Sequence, residues 1–370
     1  MKLIRNQYLL NKYITGVTIT YLAWYLLNAL YLFIRHDALE HYGDIIGIDV
    51  YDNIRSELNF ALFANGFISI FLSIFSWNFY YFLDRRGRMG STKRILIALM
   101  MVIIVTPTFT LLTGYVGRIF FPGGIPYFNN LNEGSFFIYM FYVFISTVMI
   151  NSLFQLKDIL GPELFSTVIQ GNYYVPKEEE RIFMFLDLNN STTIAECLGH
   201  LKYSHFISDC YTFMTDAIDQ NKASVYQYVG DEIVLTWPLK KGLKNNRCIQ
   251  ILFDIQNELE SKRDYFINNY GSVPVFKAGV HAGNVAATQI GVIKREMAYH
   301  GDVVNSTSRL QEMCKELNVN YLISEFLVKK LNYNFVELGV VQPRGKYQKI
   351  KVFGLENQIS YQPISSQSVG

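Results

Sequence analysis

Two kinds of hydrophobic pattern divide the chain. The first half carries four unbroken apolar segments, Ile14 to Ile34, Phe60 to Leu83, Ile95 to Tyr115 and Phe136 to Phe154, none with a charged residue. Each is close to the roughly 20 residues that cross a bilayer, so four transmembrane helices are predicted. The second half alternates short apolar runs with helical periodicity: a strand over 182–187, a helix from Thr193 to about Asn221, a hairpin over 225–237, a helix over 246–269, strands at 275–283 and ending near Tyr299, and a helix from Val304 to Leu317. That order reads as an α/β sandwich of the ferredoxin-like βαββαβ type with extensions. Between the halves, apolar positions Ile159, Leu160, Leu164, Phe165 and Val168 form a connector helix interrupted by Gly161-Pro162, and a charged, turn-rich entry runs from Gly171 to Arg181. The expected division is thus a membrane domain over 1–154, a connector over 155–180, a catalytic domain over 181–357 and a tail over 358–370.

Candidate chemistry lies where two of the predicted strands end. Val225 to Val229 and Glu232 to Trp237 flank Gly230-Asp231, a hairpin signature whose tip carries a carboxylate. A second acid, Asp187, ends the run Ile182-Phe183-Met184-Phe185-Leu186 and is followed by Leu188-Asn189-Asn190-Ser191-Thr192-Thr193. Mg²⁺ is commonly held by one or two carboxylates together with substrate phosphates, so the two strand-end acids point to a nucleoside triphosphate site. Backbone N–H groups of 189–193 at a helix start suit phosphate, and an ordinary Ser/Thr helix cap suits the same residues. Asn305 and Arg309 are four apart on a predicted helix and share a face.

Phe185-Leu186-Asp187-Leu188, Ser191-Thr192, Gly230-Asp231-Glu232 and Gly301-Asp302-Val303-Val304-Asn305-Ser306-Thr307-Ser308-Arg309-Leu310, in that order, resemble the catalytic domain of class III nucleotidyl cyclases of the membrane-anchored bacterial type. The resemblance covers Arg181 to Glu356. It implies that the ribose 3′ oxygen of ATP attacks the α-phosphorus and pyrophosphate leaves, with two Mg²⁺ or Mn²⁺ ions per site held by Asp187, Asp231 and the Leu188 carbonyl. It further implies that Asn305 orients the ribose, that Arg309 stabilises α-phosphate charge, that Lys346 binds the triphosphate, and that two copies share the sites. Lys346 stands among Arg344, Lys349 and Lys351, so a solvated basic loop is the competing reading. His281 is expected to be structural. Relatives using ATP usually carry a lysine three residues before the hairpin glycine and an aspartate or threonine seven before the asparagine. Here those positions are Gln227 and Ala298. A glutamine amide can read either purine edge, so GTP stays open beside ATP, with Tyr299 or a backbone group as a further contact. A diguanylate cyclase is disfavoured by Val229 and Ile233 in the hairpin, and a receptor with an inactive cyclase domain by the presence of both acids, Asn305 and Arg309.

Composition fits this division. Half of the 370 residues are hydrophobic, and the mean hydropathy of +0.15 is high for a wholly soluble chain. A net charge of +2 gives no field for nucleic acid, which is not expected as a partner. Cys197, Cys210, Cys248 and Cys314 are widely spaced and read as reduced thiols. Lys2, Arg5 and Lys12 before the first span, and Arg85, Arg86, Arg88, Lys93 and Arg94 after the second, place both ends of the chain on the cytoplasmic side of a lipid membrane, with acid-rich residues 37–57 outside. Asn28, Asn65, Asn78 and Asn151 within the spans are expected to bond between helices, with Pro107 as a kink.

Overall fold

A computed structural model of the chain describes residues 2–46, 62, 65–78, 96, 99–100, 103–104, 107, 134–170, 173, 175–341 and 350–356. It separates into two compact units, Met1–Ile159 and Leu160–Gly370.

The first unit contains helix α1 (Lys2–Ile46), a helical stretch α2 over 65–78, and most of α3 (Gly134–Gln170). Trp24, Leu72, Val143 and Ile150, one or more from each helix, form its buried core. Leu10–Ala38 and Ile138–Gly161 are long and apolar enough to cross a membrane, and only 28% and 22% of their windows are buried inside the protein. Apolar side chains therefore cover the outer surface, with Leu10, Leu22, Leu26, Leu30 and Phe33 of α1 all exposed; water would oppose that arrangement and lipid would not. These two windows overlap the first and fourth expected spans. The second is described only at 62 and 65–78, and most of the third lies outside the described residues, so four spans are not reached among the described residues. Polar groups in the unit bond between helices as expected at two positions: Asn65 Nδ2 donates to the Tyr25 carbonyl at 3.1 Å and Asn78 Nδ2 to the Tyr13 hydroxyl at 2.8 Å. Asn151 instead donates to Thr147 O in its own helix, and buried Asn28 has no hydrogen-bond partner among the described residues. Within α3 the backbone leaves helical geometry at Gly161 (φ 74°, ψ 160°), a conformation glycine adopts readily, so helical residues on either side meet at a kink where the sequence carries Gly161-Pro162.

The second unit is a mixed sheet of eight strands: β1 (Lys177–Leu188), β2 (Ser224–Val229), β3 (Glu232–Pro238), β4 (Phe276–Ile290), β5 (Glu296–His300), β6 (Tyr321–Ser324), β7 (Phe335–Val341) and β8 (Ile350–Leu355). The order is β2-β3-β1-β4-β6-β8-β7, with β5 pairing β4. The first four strands, with β1 antiparallel to both β3 and β4, reproduce the expected βαββαβ core. The expected helix over 193–221 is two, α4 (Ser191–Leu198) and α5 (His200–Gln220), broken at Gly199 with φ 69°. The helix over 246–269 is likewise two, α6 (Arg247–Glu260) and α7 (Arg263–Tyr270). The helix α8 (Asp302–Glu316) follows β5.

Strand alternation sorts β1 between two cores. Ile182, Met184, Leu186 and Leu188 enter the main core with Phe206, Met214, Trp237, Ile251 and Phe266. Phe183 and Phe185 face the other way, into a smaller cluster with Val234, Val285, Tyr299 and Val303. The helix α8 lies close over β4 on this second face, where a Cβ added to Gly279 would sit 2.6 Å from the Thr307 carbonyl oxygen. All four cysteines are free, three of them buried. Gly279→Val should push α8 off the sheet and cost about 1–3 kcal/mol, the scale of overpacking. Thermal unfolding of the full-length protein should show a lower midpoint, whereas Gly354→Ala, whose added methyl meets the flexible tip of Leu338 at 3.0 Å, should move it far less.

Candidate active site

The row of β1 side chains that includes Phe183 and Phe185 ends in Asp187. Its cross-strand neighbours are Glu232 on β3 and Lys277 on β4, so the strand ladder itself sets two carboxylates side by side. Asp231 is next to Glu232, at the tip of a two-residue hairpin closed by the Val229–Glu232 pair. Gly230 holds the first tip position with φ 64°, the glycine-first pattern of a type II′ loop. The tip is also held from outside: Tyr211 OH donates to the Gly230 carbonyl at 3.3 Å, and its ring lies 4.7 Å from that of Tyr228.

Crowding at this half-buried edge raises the proton affinity of Asp187 and Glu232. Burial, and then the charge of Asp231, push the Asp187 carboxyl above its ordinary value, against bonds from Gln311 and the Leu188 backbone that favour the ionised form. Burial followed by Asp187, Asp231 and Glu312 pushes Glu232 up to about 7. Burial and Asp231 raise the Tyr203 hydroxyl to about 12, so it stays a neutral donor beside the acids. Among the described residues no group of three or more His, Cys, Asp or Glu forms a ready metal cage. What is present fits a hard cation differently: two repelling carboxylates on an open edge, lacking the oxygen ligands that a phosphate chain brings.

After Leu188, whose side chain is in the main core, Asn189 N–H bonds Val275 O at 2.8 Å and turns the chain. Asn190 caps α4 from the left-handed region, φ 56°, without a side-chain capping bond. Among the described residues no side-chain hydrogen bond caps α4 at Asn190, and the N–H groups over Ser191, Thr192 and Thr193 suit an anion.

On α8 the side chain reaching the acids is Gln311, whose Nε2 donates to Asp187 Oδ2 at 3.3 Å. Arg309 pairs with Glu312 at 3.5 Å, and both are well exposed. Asn305 is exposed on the same helix, six residues or about 9 Å of rise before Gln311. One chain thus brings Asp187, Asp231 and Glu232 together with Gln311, and leaves Asn305 on the helix surface. Gln227 is exposed on β2 beside a bulge, and Ala298 is buried on β5. Tyr299 is buried, with its ring edge-on to those of Phe183 and Tyr226. His281 Nδ1 lies 2.7 Å from the buried Ser324 hydroxyl, a structural bond. Lys346, with Arg344 and Lys349, lies outside the described residues; Lys351 pairs with Glu337. Sequence reasoning gave no role to Glu232 or Gln311. Glu232 stood inside the Gly-Asp-Glu motif, whereas Gln311 becomes visible only once α8 is laid on β4.

A family model described as the adenylate and guanylate cyclase catalytic domain matches residues 173–357. Adenylate cyclase 2 of Rhizobium meliloti is 35% identical over 205 residues, covering 54% of this chain and 56% of that protein. Guanylate cyclase 2D of Rattus norvegicus is 22% identical over 158 residues, covering 42% of this chain and 14% of that protein. The chain spans about half, or less, of the length of these relatives. The structure of a bacterial light-regulated adenylyl cyclase shares the fold with a TM-score of 0.53 at 21% identity, over 63% of this chain and 68% of that one.

A raised carboxyl makes a signed pH prediction. The folded-state value of Glu232 lies above its ordinary one, so its contribution to stability is complete below about pH 4.5 and is lost as pH rises through about 7. In the absence of divalent ions, Glu232→Gln should raise the melting midpoint relative to the parent at pH 8 and leave no such advantage at pH 4.5. An equal effect at both values would show that Glu232 titrates normally.

Proposed function

The chain belongs to the family of adenylate and guanylate cyclase catalytic domains, and from that membership we propose that it is a membrane-bound adenylate cyclase. It converts ATP to 3′,5′-cyclic AMP and pyrophosphate at sites formed between two copies. The observation that carries this reading is the acid edge, where Asp187 and Asp231 sit with a raised Asp187 carboxyl beside an uncapped helix start.

Mg²⁺ or Mn²⁺, two ions per site, held by Asp187, Asp231 and the Leu188 carbonyl, would supply charge to the triphosphate and to the attacking oxygen. The chain's own groups do the rest. Of the expected stretch 189–193, the N–H groups of 190–193 receive phosphate oxygens, since that of Asn189 is bonded to Val275 O, and Gln311 restrains the rotamer of Asp187 through its bond to Oδ2. Asn305 of a second copy orients the ribose so that its 3′ oxygen forms a bond to the α-phosphorus as the bond to the pyrophosphate oxygen breaks. Arg309 and Lys346 of that copy meet the phosphate charge that grows in the transition state. The exposure of Asn305, away from the acids of its own chain, supports the use of two copies. The apolar outer surface of Leu10–Ala38 and Ile138–Gly161 supports a lipid environment, and the basic residues over 2–12 and 85–94 favour an inner-membrane location with cytoplasmic termini.

The 35% identity to a protein named adenylate cyclase supports ATP. One observation favours GTP as the second reading: exposed Gln227 can donate and accept, and a guanylate cyclase is also among the relatives.

Purified full-length protein should make cyclic AMP from ATP, and chelating the divalent ions should abolish it. Asp187→Ala and Asp231→Ala should each lower turnover at least about a hundredfold, the scale of losing a main electrostatic stabiliser. Turnover surviving either substitution would sink the assignment of the acids, and cyclic GMP as the main product would move the assignment to the second reading.

A further inference from the structure

The same row of β1 that ends in Asp187 begins with a buried cation. Arg181 is 3% exposed. Its Nη1 lies 3.0 Å from Glu179 Oε2, and its Nε donates to Thr236 Oγ1 at 3.1 Å. That hydroxyl in turn donates to the Ile182 carbonyl at 3.0 Å, which ties the cation to both β1 and β3. Glu179 also accepts from the hydroxyl of Tyr173, the residue that leads out of the connector.

The flat side of the guanidinium serves another purpose. It lies over the ring of Tyr299, 4.6 Å from the centroid, in a cation–π arrangement. Tyr299 meets Phe183 edge-on at 5.4 Å and Tyr226 edge-on at 5.0 Å. Tyr299 belongs to the second core, and it and Arg181 also line a cavity of about 510 Å³ with Tyr173, Glu180, Lys241 and Met297. Beyond the β4–β5 ladder, its ring is held by the cation above it and the two aromatic edges.

Sequence position gives that ring a consequence. Tyr299 directly follows Ala298, and Tyr226 directly precedes Gln227. The strands that carry them, β5 and β2, are not paired; β3, β1 and β4 stand between them in the sheet. Backbone ladders connect Gln227 and Ala298 only through those three intervening strands, and the register shifts between Val225 and Gln227 on the β2 side. The Tyr226–Tyr299 contact spans that separation through the second core, with Arg181 as its clamp.

We propose that Arg181, through Tyr299 and Tyr226, is a positioning residue for purine selection, setting the spacing between the two strand positions that face the base. Arg181 touches no substrate. The inference rests on the cyclase reading above and on Gln227 and Ala298 flanking the purine. It predicts that weakening the clamp changes which purine is used more than it changes turnover.

The test uses full-length protein and compares kcat/KM for ATP and GTP. Arg181→Met combined with Glu179→Gln removes both members of the ion pair, so that no single buried charge is left without its partner. Arg181→Lys keeps the charge but loses the planar stack and the Nε bond. The expected result is a shift of about tenfold in the ATP-to-GTP ratio of kcat/KM for the double variant, as a misplaced binding group produces. A smaller shift in the same direction is expected for Arg181→Lys, with the change lying mainly in KM. If the double variant does not fold, the Arg181→Lys ratio decides alone. An unchanged ratio in a folded, active variant, with both nucleotides affected equally, would show a purely structural cation and overturn the proposal. Wild-type protein that makes no cyclic nucleotide from either purine would instead overturn the cyclase reading, a result distinct from an active enzyme with an unmoved ratio.

Discussion

Everything at the candidate site depends on the register of one central strand. β1 is paired along both edges, with β3 and β4, and its alternate residues belong to different environments. Ile182, Met184, Leu186 and Leu188 fill the main core, while Arg181, Phe183, Phe185 and Asp187 share the opposite face. A slip of one residue would turn Asp187 into the apolar core and four large hydrophobic side chains out of it, so burial locks the register strongly. The hairpin acids inherit their place from the β1–β3 ladder, and α8 inherits its place from Gly279 and Gly283 on β4, where the helix approaches too closely for a side chain.

This face has a charge gradient built along it. At one end a single buried cation is matched by Glu179 and by a hydroxyl. At the other, Asp187 and Glu232 repel each other and Asp231, with Gln311 as a neutral donor and Lys277 as the cross-strand cation. Such crowding of like charge is unfavourable for folding and is of use to a site that takes up cations and phosphate. Aromatic side chains fill the middle, so the two ends are joined by packing that does not itself titrate at neutral pH.

How much of this was legible in the sequence follows from the range of each interaction. The two acids were visible because alternation locates strand ends and Gly-Asp locates a turn; both signals are local. The βαββαβ core followed from the order of those elements. Gly199 ended a helix that hydrophobic periodicity alone ran through, since a single residue at φ 69° leaves the apolar pattern intact. The kink at Gly161 falls where Gly161-Pro162 breaks the apolar pattern, again a local signal. Gln311 had no local signature at all: its role comes from a helix crossing β4, a contact of 124 residues' separation with Asp187. Strands β6 to β8 were not read from the sequence for the same reason, their place in the sheet being defined by pairing with distant segments.

The central claim is that the acid edge of one chain works with the α8 surface of another. A mixture of full-length Asp187→Ala and Asn305→Ala chains tests it most directly. In a mixed pair one site carries both lesions and the other neither, so activity should return although each variant alone is inactive. A mixture of Asp187→Ala with Asp231→Ala should stay inactive, since both acids come from one chain. If mixed pairs form and the first mixture remains as inactive as its components, the acids and Asn305 do not meet across two chains, and the account of shared sites is wrong.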